Sequence, residues 1–260
     1  MEPLPHDAER VASFLLGAKR ILFITGAGLS ADSGMPTYRG VGGLYGDVPV
    51  REGLTIEDML SGYMMRTNPS LVWEYLSHLA EAFNAAEPNQ GHRVIAEMEA
   101  EFESVWVLTQ NVDGLHRRAG STNIIDIHGD IHGLACLKCA FEQRQVILAN
   151  LKIPPKCPQC GEILRPTAVL FGEMLAEGKV AELQNQIFRG FDVVFSVGTS
   201  SLFPYITQPV TVLGQRGAKT IEINPAITEL SNLVDVKMNA RAASSLDAIW
   251  RAYRQRQKAS

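Results

Sequence analysis

The chain has no long apolar run. Within its first twenty residues, MEPLPHDAERVASFLLGAKR, the apolar stretch is only eight residues long and is preceded by acids, so it is neither a signal peptide nor a membrane span. There is also no excess of positive charge. Against 28 Asp and Glu stand 24 Lys and Arg, for a net charge of -4 and a pI near 5.9. Such a chain has no general attraction to phosphate backbones, and nucleic acid is not an expected partner. No internal repeat and no low-complexity segment occurs. Cysteine is scarce and confined to one stretch, which does not suit a disulfide scaffold. These absences together predict a cytoplasmic protein with no membrane partner, and a monomer.

What is present suits a sizeable core. Of 260 residues, 46% are hydrophobic and 20% charged, ordinary for a globular protein of one large domain or a domain with an insert. The segment RVASFLLGAKR has apolar residues at helical spacing and reads as an amphipathic first helix. Five apolar, β-branched runs each stop at a short polar or glycine position: RILFIT before Gly26, SVWVLTQ before Asn111, NIIDI before His128, FDVVFSVG before Thr199 and AKTIEI before Asn224. Continuous apolar strands separated by helical stretches predict an α/β fold, a Rossmann-like doubly wound parallel sheet covered on both faces. Ligands in such sheets sit beyond the carboxyl ends of the strands, so the five ends should face one crevice.

Two segments interrupt the alternation: one rich in glycine and then helical, with a break at Asn68-Pro69, and one bearing the cysteines. The expected division is therefore a Rossmann-like unit from residues 1–34, 90–130 and 166–260. A smaller unit follows from residues 35–89 and 131–165, combining a helical module with a zinc ribbon. The C-terminal RAYRQRQKAS reads as a solvated helix end or a short tail.

All four cysteines lie in CLKCAFEQRQVILANLKIPPKCPQCGE, as Cys136, Cys139, Cys157 and Cys160, two CxxC pairs separated by 17 residues. That is zinc-ribbon spacing: each pair offers two thiolates from one tight turn, and two such knuckles complete a tetrahedral site. With four sulfurs no position stays open, so one structural zinc is expected. Free core thiols or disulfides are the alternatives. His132, four residues before Cys136, reads as a loop histidine rather than a ligand.

The stretch FITGAGLSADSG begins like a dinucleotide loop. Gly26-Ala27-Gly28 lets the backbone turn tightly toward a pyrophosphate. In the usual GxGxxG, however, a glycine would occupy position 31, where this chain has alanine; the next glycine is Gly34, and no acidic residue closes a second strand about 20 residues on. A hydride-transferring dehydrogenase is therefore disfavoured. In TQNVDGLHRRAG, Gln110, Asn111 and Asp113 form a polar loop that either binds an amide or ribose or merely caps a helix. His128 follows directly on a strand and is the best general-base candidate among six histidines.

Taken together, GAGLSADSGMPTYRG, TQNVDGLHRRAG, IHGD, the paired CxxC, RPTAVLFGEML, SVGTSS and EINP resemble the sirtuins, NAD-dependent protein-lysine deacylases, in that family's order and over residues 21–250. The resemblance implies that NAD is consumed: nicotinamide is expelled, the acyl-lysine oxygen attacks the ribose carbon, and free lysine and an O-acyl-ADP-ribose leave. It further implies that His128 is the base, that Asn111 and Asp113 serve the ribose and the nicotinamide pocket, and that Gln110 holds a ribose hydroxyl. Gly26, Ala27 and Gly28 would cradle the phosphates with Ser30, Tyr38 and Arg39 nearby; Gly198, Thr199 and Ser200 would line the other side, and Asn224 would meet the adenosine ribose. Val169, Phe171, Gly172 and Glu173 correspond to a strand that pairs with the acyl-lysine protein substrate, with Phe171 walling the lysine tunnel. Short termini would make it a minimal member without regulatory arms, as in bacterial forms.

One departure bears on the substrate. Pro36-Thr37-Tyr38-Arg39 resembles the branch that includes desuccinylases, which read acidic acyl groups with a Tyr and, three residues on, an Arg. In NPSLVWEYLSHLAEAF those positions hold Leu76 and Leu79. A succinyl carboxylate against two leucines would be an unpaired buried charge costing several kcal/mol, so neutral acyl groups are expected, acetyl first. The alternative is that the leucines simply pack the helix, with Tyr75 brought in by a register slip of one residue. The glycines at 40, 42, 43 and 46 suit a loop that closes over a cofactor or a plain surface loop. Protein mono-ADP-ribosylation in the same pocket, desuccinylation and a nucleic-acid-binding ribbon are the rival functions.

Overall fold

The computed structural model of the protein describes residues 2–35 and 53–259. Tyr38, Arg39 and the glycines at 40, 42, 43 and 46 lie outside them.

The five apolar runs form strands β1 (Arg20–Thr25), β2 (Ser104–Thr109), β3 (Ile124–Asp126), then, after the cysteine region, β7 (Val193–Val197) and β8 (Lys219–Ile223). A sixth strand, β9 (Val236–Met238), completes a parallel sheet of order β3-β2-β1-β7-β8-β9. Its three residues are too few to carry a periodicity, so the sequence alone does not reveal it. The order is that of a doubly wound dinucleotide fold, and it reverses direction between β1 and β7.

Strand β1 shows why both faces must be covered. Ile21 and Phe23 point into one core and Leu22 and Ile24 into the other, all fully buried. On the first face lie helices α1 (Pro5–Leu15), α6 (Gln90–Glu99) and α10 (Ala242–Ala259), which supply Val11, Leu15, Ile95, Met98, Leu246 and Ile249. There the Phe23 and Phe195 rings stack at 4.7 Å. On the second lie α8 (Glu177–Arg189) and α9 (Pro204–Gln215), contributing Leu183, Ile206, Val210 and Leu213. Each such side chain contributes about 1.5–3 kcal/mol on burial. The C-terminal segment is thus the end of a packed helix.

A separate core joins the two interrupting segments. Helices α3 (Ile56–Met59), α4 (Gly62–Thr67) and α5 (Pro69–Ala85) are punctuated by caps: Thr55 and Asp58 form a reciprocal capping box, and Asn68 accepts from the Leu71 N–H ahead of Pro69. They pack against a three-stranded antiparallel sheet of β4 (Leu134–Cys136), β5 (Glu142–Gln143) and β6 (Leu164–Pro166). Trp73 joins the layers, fully buried, its indole N–H donating to the Leu164 carbonyl at 2.8 Å. Ala168 and Leu170 belong to this core, so the chain leaves it a few residues beyond position 166. Met35, Phe83, Ala86 and Leu115 form a small apolar contact between the units.

The ribbon gathers all four cysteines. Their Sγ atoms lie within 4.8 Å of one another, with Cys136–Cys160 at 3.5 Å and Cys139–Cys157 and Cys139–Cys160 at 3.6 Å. Sulfurs about 2.3 Å from a tetrahedral zinc stand roughly 3.8 Å apart, so the donor set fits that ion. The N–H groups of Lys138 and Cys139 point at the Cys136 sulfur, the arrangement that stabilises a thiolate in a knuckle. His132 stands apart; its Nδ1 contacts the Val146 carbonyl at 3.1 Å.

Behind the end of β1, His92 and helix α7 (Leu115–Ala119), through His116, place two buried imidazoles with ring centroids 4.9 Å apart. His116 Nε2 meets the Thr25 hydroxyl at 2.9 Å, while neither ring nitrogen of His92 has a partner among the described residues.

Two outcomes follow. Because thiolate–zinc binding energy is folding energy, chelation of the metal should abolish hydrogen-exchange protection in the ribbon while the six-stranded sheet stays protected; unchanged ribbon protection would contradict a structural role. Burial pushes the His92 pKa down to about 4, against an unfolded value of about 6.5. Between those values the unfolded chain binds a proton that the folded one refuses, so stability is lost as pH falls through that window, by about 3 kcal/mol for this residue. Urea midpoints at pH 7.5 and 4.5 should show the loss, and His92→Phe should reduce it.

Candidate active site at the strand ends

The sheet reverses order between β1 and β7, and there the two loops touch backbone to backbone. Gly28 N–H donates to Gly198 O at 2.8 Å and Gly26 N–H to Val197 O at 3.0 Å. A Cβ on Gly28 would stand 2.7 Å from Gly198 Cα, and one on Gly198, whose φ is +60°, 2.4 Å from Leu29 N. These glycines are therefore required by close approach of two loops, and the amides of Gly26 and Gly28 face β7. The late glycine has a different job. After the single turn α2 (Ala27–Ser30) the chain tightens into a 3₁₀ turn, and Gly34, at φ +80°, ends it in the left-handed conformation.

Polar side chains at the strand ends form one linked network. Ser30, almost fully buried, donates to Asp113 Oδ2 at 2.6 Å and accepts from Asn111 Nδ2 at 3.0 Å; the same amide reaches the Gly26 carbonyl. Asp113 also caps α7 through the Leu115 N–H at 2.9 Å, so the helix-cap reading of this loop holds alongside the contact across to Ser30. Burial raises the Asp113 pKa against the lowering effect of the Ser30 and Leu115 hydrogen bonds. Gln110 Nε2 donates to Thr199 Oγ1 at 2.6 Å, and Asn224 Nδ2 to the Thr199 carbonyl at 2.8 Å. The Asn224 loop is held in turn by Lys237, whose ammonium reaches its carbonyl and lies beside buried Glu222. Ser200 is exposed.

His128 follows β3, and its ring is held at both nitrogens. Nδ1 lies 2.9 Å from the Gln110 carbonyl, and Nε2 2.7 Å from the Tyr205 hydroxyl. A carbonyl can only accept, so Nδ1 carries the proton and Nε2 keeps its lone pair. Burial lowers the His128 pKa; the Gln110 carbonyl acts the other way and nearby Lys179 adds to the lowering. The imidazole is thus neutral at physiological pH and able to accept a proton. Lys179 is fixed by Asp126, at 2.9 Å from its carboxylate.

The remaining expected positions divide. A cleft open to solvent is lined by Ala27, Ser30, Leu79, Gln110, Asn111 and Asp113, with Met35, Phe83 and Val112 as apolar wall. Leu79 therefore faces the crevice as well as the small core, whereas Leu76 is buried in that core and is not part of the cleft lining. The segment from Val169 to Glu173, expected as a strand, is instead a turn. Glu173 is drawn into a bidentate pair with Arg165 at 2.6 and 2.7 Å and accepts the Leu170 N–H at 2.9 Å, while Gly172 takes φ +77°. Around it, Val169 N–H donates to the His128 carbonyl at 2.7 Å, and Phe171 exchanges backbone hydrogen bonds with Leu60 and Gly62 at 2.9 and 3.0 Å. The turn thus ties His128 to the helical module. The Glu173 pKa is held below the ordinary carboxylate range by Arg165 and the Leu170 amide, despite burial.

Sequence reasoning missed Tyr205, because LFPYITQP reads only as a helix start with Pro204 in the first turn. It also missed Arg165, which had no local signal for its partner eight residues on. The donor set fits a dinucleotide: hydroxyls, amides and one buried carboxylate converge on a crevice whose floor is bare glycine backbone.

The chain matches the family model described as "Sir2 family" over residues 26–203. It is 51% identical over 235 residues to NAD-dependent protein deacylase 2 of Pseudomonas aeruginosa, covering 89% of this chain and 91% of that protein. Among solved structures, a mutant Sir2 homologue in complex with ADP-ribose superimposes with a TM-score of 0.86 at 33% identity, over 97% of this chain and 98% of that one. A Sir2 homologue in complex with NAD gives 0.84 at 34% identity, over 95% and 94%. The chain belongs to the Sir2 family, the sirtuins.

Proposed function

We infer that the protein is an NAD-dependent protein-lysine deacylase that consumes NAD in the crevice between β1 and β7. The observation that carries this reading is His128, neutral, with Nδ1 pinned to the Gln110 carbonyl and its Nε2 lone pair facing the Tyr205 hydroxyl. When bound, NAD would supply a ribose carbon from which nicotinamide departs in favour of the acyl-lysine oxygen, and one water would complete the transfer of the acyl group to ADP-ribose as the C–N bond to lysine breaks and the free amine is released.

The chain's own residues bind, orient and move protons. His128 Nε2 takes a proton from a ribose hydroxyl as that oxygen attacks the acyl carbon, a role for which a neutral imidazole is suited at physiological pH. Ser30, Asn111 and Asp113 keep their polar edges toward the nicotinamide half; Asp113, held by Ser30 and an amide, is oriented before any ligand arrives. Gln110 and Asn224, both tied to Thr199, serve the riboses, and Gly26, Ala27, Gly28, Gly198 and Ser200 the phosphates. Met35, Phe83 and Val112 exclude water from the reacting centre. The four cysteines hold a structural zinc, remote in role from the chemistry.

We take residues 1–34, 90–130 and 166–260 as the NAD-binding unit and 35–89 and 131–165 as the smaller one, the latter joined by the turn at 168–171. The substrate backbone lies along that turn, with Phe171 beside the lysine chain. Its acyl group meets Leu79 rather than an Arg or Tyr, which favours neutral acyl groups, acetyl first. No described helix is long and apolar enough to cross a membrane, and a cytoplasmic enzyme acting on acylated proteins fits the reading.

Mass spectrometry of an acetyl-lysine peptide should show acetyl loss only with NAD, together with O-acetyl-ADP-ribose; ADP-ribose added to a protein target without that product would indicate ADP-ribosyl transfer instead. His128→Ala should lower kcat about 10²- to 10⁴-fold, the usual worth of a general base, with fold and zinc content unchanged. In the unsubstituted enzyme the acid limb of kcat/KM should lie below the ordinary imidazole range, because burial disfavours the imidazolium. Desuccinylation should be slower than deacetylation by at least about 30-fold, the equivalent of roughly 2 kcal/mol for an unpaired carboxylate; comparable rates would remove the leucine argument.

A further inference from the structure

The hydroxyl on His128 belongs to a residue with no role in the reading above. Tyr205 is the second residue of α9. Its Oη lies 2.7 Å from His128 Nε2, the ring planes are nearly perpendicular at 5.9 Å between centroids, and Phe203 stacks on the tyrosine at 5.4 Å. With Nδ1 committed to the Gln110 carbonyl, the imidazole has one lone pair left, and the phenol donates to it.

We propose that Tyr205 is a positioning residue that holds the proton-accepting nitrogen of His128 in the cofactor-free protein and surrenders it to a ribose hydroxyl when NAD binds, thereby setting the affinity of the crevice for the ADP-ribose part of NAD. This rests on the reading of His128 as the base. One lone pair accepts one strong hydrogen bond along its axis, so phenol and ribose hydroxyl compete for it. The phenol keeps its proton throughout the neutral range, since burial pushes its pKa up to about 12, and therefore remains a donor. Besides Tyr205, the charged group that faces the ring is Lys179 of α8, already engaged by Asp126.

The surroundings permit the exchange. Tyr205 packs at the edge of the second-face core, only partly buried, and leans on Phe203, which is 46% exposed. The loop before it is strained: Ser201 stands at φ +55°, in the left-handed region that non-glycine residues seldom occupy, and its buried hydroxyl has no partner. Strain of this kind is retained where a segment has a second arrangement to adopt. The same loop begins at Gly198 and Thr199, which contact the β1 loop and Gln110, so a ligand in the crevice acts on it directly.

Tyr205→Phe keeps the stack on Phe203 and removes the competing donor. Titration calorimetry with ADP-ribose, on the zinc-loaded protein, should show binding about 2- to 10-fold tighter in this variant, the equivalent of one net hydrogen bond. The gain should vanish when the same change is made in His128→Ala, because no lone pair is then contested. Unchanged or weaker binding in Tyr205→Phe, or an equal gain without His128, overturns the proposal. In the unsubstituted protein, nuclear Overhauser contacts between the Tyr205 and His128 rings should be present without ligand and lost at saturating ADP-ribose; their persistence also overturns it. If the unsubstituted protein fails to bind ADP-ribose at all, the cofactor reading itself falls, which separates the two failures.

Discussion

Much of this molecule depends on one close approach, that of the β1 loop to the end of β7. A parallel sheet that reverses its winding leaves a gap between the first strand and the strand on its other side, and here the gap is closed by glycine backbone lying against glycine backbone. Gly28 and Gly198 come so near that a Cβ on either would overlap main-chain atoms of the other loop. Because no side chain intervenes, Thr199 lies within reach of Gln110, and the Gln110 carbonyl within reach of His128. His128 is thus oriented through hydrogen bonds that begin at a steric requirement two strands away.

The second organising feature is the turn from Val169 to Glu173. Its backbone connects the His128 carbonyl on one side to Leu60 and Gly62 on the other, while Arg165 and Glu173 close it from beneath. Sheet and helical module are in this way joined, and the ribbon that supplies Arg165 brings together four sulfurs suited to zinc. The ribbon thereby gives the turn a firm base through Arg165. A bidentate Arg–carboxylate pair supplies direction as well as attraction, which a lysine in its place would not.

The electrostatics of the crevice follow from burial more than from charge pairing. His128 is kept neutral by desolvation and by Lys179, and Asp113 is raised by burial while its hydrogen bonds oppose the shift. A site designed for leaving-group departure from a ribose has little use for strong local charge; it needs groups whose orientation is settled beforehand. The Ser30–Asn111–Asp113 network provides that, and Tyr205 extends the same principle to the second nitrogen of the base.

Sequence alone determined the parts whose signal is local. Five strands were legible because each carries its own apolar run, the zinc ribbon because two CxxC pairs need only spacing, and the family because its motifs follow one another in order along the chain. Strand β9 was not legible, because Val236-Lys237-Met238 is no apolar run and is identified only by pairing with β8. Nor was the fate of the two leucines: seen on a helix they are equivalent, and only packing sends Leu76 into the small core and leaves Leu79 on the cleft. The turn at Val169–Glu173 was read as a strand because its apolar start gives no hint of the distant Arg165 that captures Glu173. Tyr205 is the plainest case. Its hydroxyl meets an imidazole 77 positions away in the chain, a contact that exists only because α9 begins above the end of β3, and no pattern of neighbouring residues encodes a distance across a fold.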